Sequence, residues 1–453
     1  MHQYIWTNDD NAVLLTDLYQ LTMLQAYVDE GMDETAVFDL FFRRMRKRNY
    51  LLAAGLDTVL HYLETLRFTD ESLQYLDSLG IFGRDFLEYL EDFRFTGSVY
   101  AMPEGTPFFP DESVLQVVAP IPQAQLVETF ILNQITFQTN AATKARRVIH
   151  AAAGRPVADF GARRMHGADA TMRAARAYSI AGLDDTSNVL AAAAYGMNAS
   201  GTMAHSYIEA HDNEDDAFRR FARLYPGTTL LVDTYDTLDA VRRIVNMAKD
   251  DPDGFQVGAI RLDSGDMAEL AFNARRILDD GGLADVRIFA SGSLDEYKVA
   301  ALVDSGAPID AFGVGTSMGT IADLPYLDSA YKLVRYGGKD RMKLAENKTN
   351  LPGLKQVYRH YDGDVAAYDT IALMDEAAPE GAEPLVTCVM KNGERTADGR
   401  ATLADARRHA ETHLSRLPSP LHHLGQNETP YDVRVSSRLR EKQDELRRSL
   451  EKK

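Results

Sequence analysis

The sequence predicts an α/β protein organised around an irregular or incomplete β/α barrel. Short apolar runs recur along its middle region with starts about 20–30 residues apart, the length of a β-strand plus a crossover helix. Segments with apolar residues at helical spacing separate these runs, so the strands are expected to be parallel. Asp, Arg, His, Ser and Gly recur where the runs end, and polar residues converging from many strands favour a barrel over a single crevice.

The first region, residues 1–145, mixes helical and strand patterns. Residues 16–23 open with Thr16 and Asp17, a helix start signal, and continue with apolar residues at helical spacing. Residues 36–42 predict a strand that leads into a basic cluster at residues 43–48, which includes Arg43 and Arg44. This cluster is either a solvated turn or a site of anion or subunit contact.

The middle region, residues 146–325, carries the barrel pattern. Residues 236–249 and 264–279 place apolar side chains at i, i+3 and i+4 and predict crossover helices. Seven runs predict strands: 157–161, 178–182, 201–205, 229–234, 257–263, 287–292 and 309–315.

The third region, residues 326–453, is less regular. Residues 356–358 and 385–389 resemble strands, and residues 436–453 predict a surface helix. Basic side chains cluster in its first part, at Lys332, Arg335, Lys339, Arg341, Lys343 and Lys348.

Composition excludes several classes of protein. Acidic residues outnumber basic ones by 67 to 49, a formal net charge of −18, so a nucleic-acid-binding surface is not expected. The one cysteine, Cys388, excludes an intrachain disulfide framework and a Cys-rich metal site. The first ten residues lack a basic segment followed by an apolar one, and no uninterrupted apolar run is long enough to span a membrane. We therefore expect a soluble, cytoplasmic protein.

Two loops at late strand ends predict a phosphate site. Gly313, Gly315 and Thr316 follow the last strand, where small residues let backbone N–H groups approach phosphate oxygens and a hydroxyl adds a donor. Ser291 and Gly292 offer the same chemistry one strand earlier. The sequence has no Walker-type phosphate loop and no His-Glu-x-x-His motif, so any use of ATP would depend on other residues.

Residues 261–266 are the densest functional signal. Arg261 ends an apolar strand, and its planar fork suits a carboxylate or a phosphate. Asp263 and Asp266 are candidates for Mg²⁺ or ribose hydroxyls, although Asp266 also fits an N-cap of the next helix.

Three further residues stand at strand ends. His205 is either a structural hydrogen-bonding residue or a phosphoryl acceptor or acid–base group. Phe160 could stack on a flat ring and Arg163 could contact an anion, against the alternatives of core packing and solvent exposure. Together these residues predict a site that binds a flat acidic ring and at least one phosphate cluster, with Mg²⁺ as a bound ion.

At these residues the chain closely resembles nicotinate phosphoribosyltransferase, from residue 16 to about residue 359. Five ordered motifs carry the resemblance: residues 160–164, 186–191, 201–205, 261–266 and 312–316. The resemblance implies a type II phosphoribosyltransferase fold, in which an irregular α/β barrel is joined by an α+β domain built from both chain ends. It also implies a step of NAD salvage that converts nicotinate and 5-phosphoribosyl 1-diphosphate to nicotinate mononucleotide and diphosphate, with coupled ATP hydrolysis.

The resemblance assigns roles to individual residues. His205 matches the histidine that ATP phosphorylates. His205 and Asp263 are the expected catalytic residues. Tyr19 and Phe160 match the aromatic residues that sandwich the pyridine ring, with Tyr19 supplied by the neighbouring subunit of a homodimer. Thr202 and Arg261 match nicotinate contacts. The expected contacts of phosphoribosyl diphosphate are Arg43, Arg163, Ser291, Gly292, Gly313, Gly315 and Thr316.

Asp185 departs from the family pattern, in which a small residue is expected before Thr186. Its carboxylate either alters the ring pocket or caps the following helix. Three rival functions stay open from the sequence: a nicotinamide-preferring transferase, a catalytically silent homologue that binds pyridine or ribose phosphates, and an unrelated barrel lyase. The lyase would place a Schiff-base lysine at a strand end, and none of the predicted strand ends carries one.

Overall fold

The computed structural model describes residues 6–43, 45–344 and 350–452. Arg44 and Lys348, which belong to the two predicted basic clusters, lie outside the described residues. The chain divides into two compact units, one of Met1–Asn140 with Tyr326–Lys453 and the other of Ala141–Pro325. Within the described ranges, no helix has both the length and the apolar composition that a membrane crossing requires.

The N-terminal part of the first unit opens with a helix that begins after Asp17, where the sequence places its start signal. The strand predicted at residues 36–42 is β1. The elements that begin before the boundary are α1 (Leu18–Asp29), β1 (Thr35–Phe42), β2 (Leu51–Leu52), α2 (Leu56–Thr65), α3 (Asp70–Ser78), α4 (Arg84–Glu91), β3 (Ser98–Ala101), β4 (Pro107–Phe108), β5 (Leu115–Pro120), α5 (Ile121–Leu126) and α6 (Glu128–Ala151), which crosses it.

The second unit alternates strands and helices, as the spacing of apolar runs predicts. Its elements are β6 (Val157–Asp159), α7 (Ala168–Ala181), β7 (Asp185–Thr186), α8 (Val189–Tyr195), β8 (Asn198–Ala199), α9 (His205–Glu209), α10 (Glu214–Leu224), β9 (Thr228–Leu231), α11 (Thr237–Asp250), β10 (Val257–Leu262), α12 (Met267–Asp280), β11 (Arg287–Ala290), α13 (Glu296–Asp304), β12 (Ala311–Val314) and α14 (Thr316–Gly319).

The C-terminal part of the first unit is mostly strands and ends in the predicted surface helix, which Ser436 caps by accepting from the N–H of Leu439. Its elements are β13 (Ser329–Tyr336), β14 (Lys339–Asp340), β15 (Lys355–Asp362), β16 (Val365–Leu373), β17 (Glu383–Pro384), β18 (Thr387–Lys391), β19 (Glu394–Arg395), α15 (Leu403–Ser415), β20 (Val433–Val435) and α16 (Ser437–Leu450).

Both chain ends contribute strands to the main sheet of the first unit. Its order is β14-β13-β1-β5-β3-β18-β19, so β1 pairs with β13 and β3 pairs with β18 in antiparallel fashion. A four-stranded sheet, β17-β15-β16-β20, and the pair β2-β4 complete the unit. The expected α+β domain built from both ends of the chain is confirmed.

The second unit is an incomplete barrel. Its seven parallel strands have the order β8-β7-β6-β12-β11-β10-β9, which follows the chain around a circle. The circle is not closed, because β8 and β9 lie at the two edges of the sheet and do not pair. We call this gap the open seam. The predicted α/β class and incomplete barrel are therefore confirmed.

Two of the seven predicted strands are wrong. Residues 178–182 belong largely to α7, and the next strand is the short β7. Every residue from Ala174 to Ala181 is buried, Arg176 and Ser179 included. This part of the helix therefore has no exposed face, and the sequence lacks the periodicity that reveals a helix. Residues 201–205 also form no strand, because β8 precedes them and His205 begins α9.

Candidate active site

The carboxyl ends of the parallel strands bring most of the predicted site residues to one edge of the second unit. Phe160 follows β6, Arg261 lies in β10, and each remaining residue lies at the end of a strand, in the loop that follows it, or at the start of the next helix. These remaining residues are Thr202, His205, Asp263, Ser291, Gly292, Gly313, Gly315 and Thr316.

Arg261 links the two sides of the open seam. Its Nη1 donates to the hydroxyl of Thr202 and, at 3.2 Å, to the carbonyl oxygen of Met203. Its Nη2 lies 3.7 Å from Oδ1 of Asp263, and its side chain is only 12% exposed. The buried Nε has no hydrogen-bond partner among the residues that the structure describes. A guanidinium with an unused donor favours an anionic ligand at this position.

Burial is the largest influence on the pKa of Arg261, and it lowers the pKa from its ordinary value. The carboxylates of Asp263 and Asp233 act in the opposite direction, whereas the positive charge of Arg163 lowers the pKa further. Arg163 lies in the 3₁₀ turn Ala162–Arg164 and is exposed. Arg163 and Arg261 therefore act electrostatically on the same region, and an anion bound there would relieve their mutual repulsion.

Two carboxylates lie beside Arg261. Oδ2 of Asp233 accepts from the backbone N–H of Asp263 at 3.0 Å and from the hydroxyl of Ser264 at 2.6 Å. Ser291 donates its hydroxyl to Oδ1 of Asp263 at 2.5 Å. Oδ1 of Asp233 is buried and has no partner within the described part of the chain. This acceptor is available to a cation or to a donor on a ligand.

No group of three or more His, Cys, Asp or Glu side chains in the described ranges is arranged to hold a metal ion. Of the two candidate metal ligands, Asp263 and Asp266, the second caps α12. Its Oδ1 accepts from the N–H groups of Ala268 and Glu269, both at 3.1 Å. The carboxylates of Asp233 and Asp263 would suit a hard divalent cation that completes its shell with water and other oxygen ligands.

His205 is held at the N-terminal end of α9. Its Nδ1 is 3.1 Å from Oγ1 of Thr234, which follows β9 on the other side of the open seam. This hydrogen bond orients the ring and leaves Nε2 for another partner. The geometry suits an imidazole that reacts through Nε2.

Asp159 fixes the turn that carries Phe160. Its Oδ1 accepts from the N–H of Gly161 at 2.8 Å, and its Oδ2 accepts from the hydroxyl of Thr186 at 2.9 Å. Burial raises the pKa of the Asp159 carboxyl, and both hydrogen bonds oppose that rise. The sequence analysis missed this residue, although an aspartate inside an otherwise apolar run was a signal for it.

Gly313 makes room for two aromatic rings. A Cβ atom at this position would lie 2.7 Å from the ring of Phe160 and 2.9 Å from the ring of Phe289. A Cβ atom on Gly315 would lie 2.9 Å from the carbonyl oxygen of Phe160. Both glycines of the predicted phosphate loop therefore also position Phe160. Thr316, the next residue, is exposed at the start of α14.

Gly292 lets two strand-end loops touch. It has a φ of +85°, and a Cβ atom there would lie 1.7 Å from the carbonyl oxygen of Asp263. The buried Ser291 donates its backbone N–H to the carbonyl oxygen of Leu262 at 2.8 Å. The loop after β11 is therefore fastened directly to the loop after β10.

Two predicted contacts belong to the first unit. Tyr19 lies on α1 and is 50% exposed. Arg43 forms an ion pair with Asp328 at 3.5 Å, and its guanidinium lies 5.6 Å from the centre of the Phe41 ring. Asp328 therefore already offsets part of the positive charge of Arg43.

Asp185 does not cap the helix that follows it. It lies in β7, and the cap of α8 is Asn188, whose side chain accepts from the N–H of Ala191 at 3.3 Å. Burial, followed by the negative charge of Asp184, raises the pKa of the Asp185 carboxyl. The capping interpretation of Asp185 is therefore wrong.

Comparisons with known proteins agree on one family. The chain matches the nicotinate phosphoribosyltransferase (NAPRTase) N-terminal domain over residues 14–136 and the NAPRTase family over residues 156–334. It is 49% identical over 429 residues to nicotinate phosphoribosyltransferase pncB2 of Mycobacterium tuberculosis, covering 94% of this chain and 92% of that protein. It is 43% identical over 379 residues to nicotinate phosphoribosyltransferase of Bacillus subtilis, covering 80% and 77%.

A solved structure gives the same result. The crystal structure of human nicotinic acid phosphoribosyltransferase superimposes with a TM-score of 0.85 and 27% sequence identity, over 95% of this chain and 99% of that one. Family matches on both parts of the sequence and relatives aligned along most of its length leave one assignment. The chain belongs to the nicotinate phosphoribosyltransferase family.

Proposed function

We propose that the protein transfers a phosphoribosyl group to nicotinate, forming nicotinate mononucleotide and diphosphate in NAD salvage. Relatives that align over 94% and 80% of the chain carry this name, which supports the assignment. Within this chain, the observation that best supports the proposal is the environment of Arg261. Its guanidinium is largely buried and is tethered by Thr202 at the edge where Phe160 lies, and its Nε has no acceptor among the described residues.

Nicotinate combines a flat ring with one carboxylate, and the residues of the site fit both parts. Arg261 offers a planar fork to the carboxylate, and the hydroxyl of Thr202 adds a second polar group. Phe160, set by Asp159 and Gly313, offers an aromatic face to the pyridine ring. Binding of this kind holds the ring nitrogen in a fixed direction for attack on the ribose carbon.

Loss of diphosphate leaves an oxocarbenium-like ribose and places negative charge on the leaving group. Gly292, Gly313, Gly315 and Thr316 supply hydroxyl or backbone donors for phosphate oxygens. Ser291 instead positions this loop, because its hydroxyl and its N–H already donate to Asp263 and Leu262. The arginines Arg163 and Arg43 are proposed as further anion contacts. Asp263, with Asp233 beside it, would hold Mg²⁺ together with the substrate phosphates. When bound, Mg²⁺ supplies positive charge that neutralises the departing diphosphate.

ATP coupling is proposed to act through His205. The contact of its Nδ1 with Thr234 leaves Nε2 as the nitrogen that takes the γ-phosphoryl group of ATP, with ADP as the leaving group and water later releasing phosphate. Incubation with γ-labelled ATP should give acid-labile label on the wild-type protein and none on a His205→Asn variant. Equal labelling of both proteins would refute this role.

A homodimer with shared sites is proposed from the exposed end of α1. Leu18 and Tyr19 are 53% and 50% exposed, an unusual position for two large apolar side chains. Tyr19 of one subunit would cover the pyridine ring on the face opposite Phe160 in the partner.

The direct test compares the two pyridine substrates. Purified protein is supplied with phosphoribosyl diphosphate, Mg²⁺ and either nicotinate or nicotinamide, and mononucleotide formation is measured. We expect kcat/KM for nicotinate to exceed that for nicotinamide by at least about 100-fold, because the amide leaves the charge of Arg261 unmatched. A preference for nicotinamide, or binding of nicotinate with no release of diphosphate, would contradict the proposal.

A further inference from the structure

Phe289 shares a face of the parallel sheet with Arg261. The two residues are register partners on the adjacent strands β10 and β11, so their side chains emerge on the same side. Ala311 on β12 is the next partner in this row, and Gly313 lies two residues further along on the same face. Phe289 is partly exposed, although it stands near the middle of the sheet.

The ring of Phe289 packs against the ring of Phe160. Their centroids are 5.6 Å apart and the planes are tilted by 31°. Both rings fill the space above Gly313, where a Cβ atom would approach each within 3 Å. An aromatic surface thus runs from the turn after β6 to the strand next to Arg261.

We propose that Phe289 is a specificity-determining residue that forms one wall of the pyridine slot, an inference that rests on the proposed function. The carboxylate of the substrate meets Arg261, and the unsubstituted part of its ring lies against Phe289 and Phe160. A ring carrying an extra methyl group has no space at this wall. A ring carrying a second carboxylate would place it against an aromatic surface that offers no donor, which costs desolvation energy.

Phe289 also holds Phe160 in place. The Phe160 ring is flanked by Phe289 and by the backbone at Gly313, so shortening Phe289 gives it freedom to rotate. Removal of the wall should therefore weaken binding of nicotinate itself while improving the relative binding of larger rings.

The test uses Phe289→Leu, Phe289→Ala and a matched control, Phe312→Leu. Phe312 is 1% exposed on β12, and strand alternation places it on the face opposite Gly313, so its substitution removes equal volume away from the slot. Each protein is assayed with nicotinate, with nicotinates methylated at each free ring carbon in turn, and with pyridine-2,3-dicarboxylate. Unfolding by urea reports the stability of each variant.

We expect the ratio of kcat/KM for at least one methylated nicotinate over nicotinate to rise about tenfold or more in Phe289→Ala, as for one methyl group in an apolar pocket. KM for phosphoribosyl diphosphate should stay within about twofold of the wild type. Phe312→Leu should leave the substrate ratios unchanged. Unchanged ratios in both Phe289 variants, with stability lowered as in Phe312→Leu, would overturn the inference.

Calorimetric binding of the same pyridines separates this inference from the proposed function. A wild-type protein that binds nicotinate without turnover refutes the function, whereas the ratio of dissociation constants in the Phe289 variants still reports on the wall. If Phe289→Ala does not fold, Phe289→Leu, which also removes the aromatic ring, is compared with Phe312→Leu.

Discussion

The guanidinium of Arg261 hydrogen-bonds the hydroxyl of Thr202 across the open seam of the barrel. Arg261 lies on β10, one strand from the edge formed by β9, whereas Thr202 follows β8 at the opposite edge. His205 and Thr234 make a second contact across the same gap at 3.1 Å. The seam is thus bridged by side chains of the candidate site rather than by backbone pairing, so substitutions there affect both the site and its frame.

Arg261→Lys should raise KM for nicotinate by about 10- to 100-fold, because a lysine point charge replaces a fork that makes two charge-assisted hydrogen bonds. Steady-state kinetics with nicotinate and nicotinamide provides the measurement. The loss should be larger for nicotinate, since only it carries a carboxylate. Thr202→Val is the companion variant and should have a smaller effect, because the guanidinium remains. An equal loss for both pyridines would show that Arg261 does not recognise the carboxylate.

His205→Asn should abolish the coupling of ATP hydrolysis while retaining part of the transfer activity. Asparagine has no nucleophilic nitrogen, but the rest of the site stays in place. The quantity measured is ADP formed per nicotinate mononucleotide. His211→Gln serves as the control, because His211 lies six residues away and its Nδ1 is 2.8 Å from the carbonyl oxygen of Tyr207, four residues earlier in the chain. An unchanged ratio in His205→Asn would exclude a phosphohistidine at this residue.

Gly292→Ala should lower both stability and activity, and Gly306→Ala separates the two causes. Both glycines have positive φ, +85° and +71°, but a Cβ atom on Gly306 would meet no atom of the described residues within 4 Å. We expect Gly306→Ala to cost about 1–2 kcal/mol from backbone strain alone. Gly292→Ala should cost more and raise KM for phosphoribosyl diphosphate, because its Cβ pushes apart the loops after β10 and β11. Equal free energies of unfolding for the two variants would contradict this close approach.

His409 should make the protein less stable in acid. Burial, with the nearby charges of His413 and Arg359, lowers the pKa of His409 to about 3. The unfolded chain gains a proton below about pH 6.5 whereas the folded chain does not, so stability is lost as pH falls through this range. The loss from this residue is about 2 kcal/mol between about pH 7 and about pH 5.

The His409→Gln variant tests directly whether His409 makes the protein less stable as the pH falls. Glutamine does not titrate, and its amide can replace the contact between Nε2 of His409 and Oγ1 of Thr106, which is 2.9 Å long. Urea unfolding at both pH values should show a flatter dependence in the variant than in the wild type. A steeper or unchanged dependence would show that His409 is not held neutral in the folded state.

Mixing two defective variants should restore activity if Tyr19 acts in the partner subunit. Tyr19→Ala and Arg261→Lys would each impair every site of their own homodimers. A mixed dimer has one site with both native residues, so subunit exchange should recover about a quarter of the wild-type activity. Tyr75→Ala, at an exposed tyrosine of α3, is the control that should be active alone. No recovery after verified exchange would place Tyr19 outside the shared site.

Strand ends were the most informative part of the sequence. Arg261 and Phe160 were predicted because charged and aromatic residues at the carboxyl ends of parallel strands meet at one edge. The cap role of Asp266 was also foreseen, since an aspartate directly before a helical pattern accepts from its first N–H groups. Such local signals depend only on neighbouring residues.

Features that depend on distant packing were not predictable. Strands β7 and β8 have only two residues each, too few to show a period, so the sequence did not show where the open seam lies. Phe289 looked like an ordinary strand residue, because its ring occupies the space that a side chain at Gly313 on the next strand would fill. The partner of Arg261 at Thr202 likewise depends on which strands lie at the edges.

The most direct measurement of the central claim is the stoichiometry of the reaction with the full chain. Nicotinate, phosphoribosyl diphosphate and Mg²⁺ are supplied with and without ATP, and both products are quantified. We predict equal amounts of nicotinate mononucleotide and diphosphate, with faster formation when ATP is present. Diphosphate that appears at the same rate without nicotinate, or no mononucleotide under any of these conditions, would contradict the account.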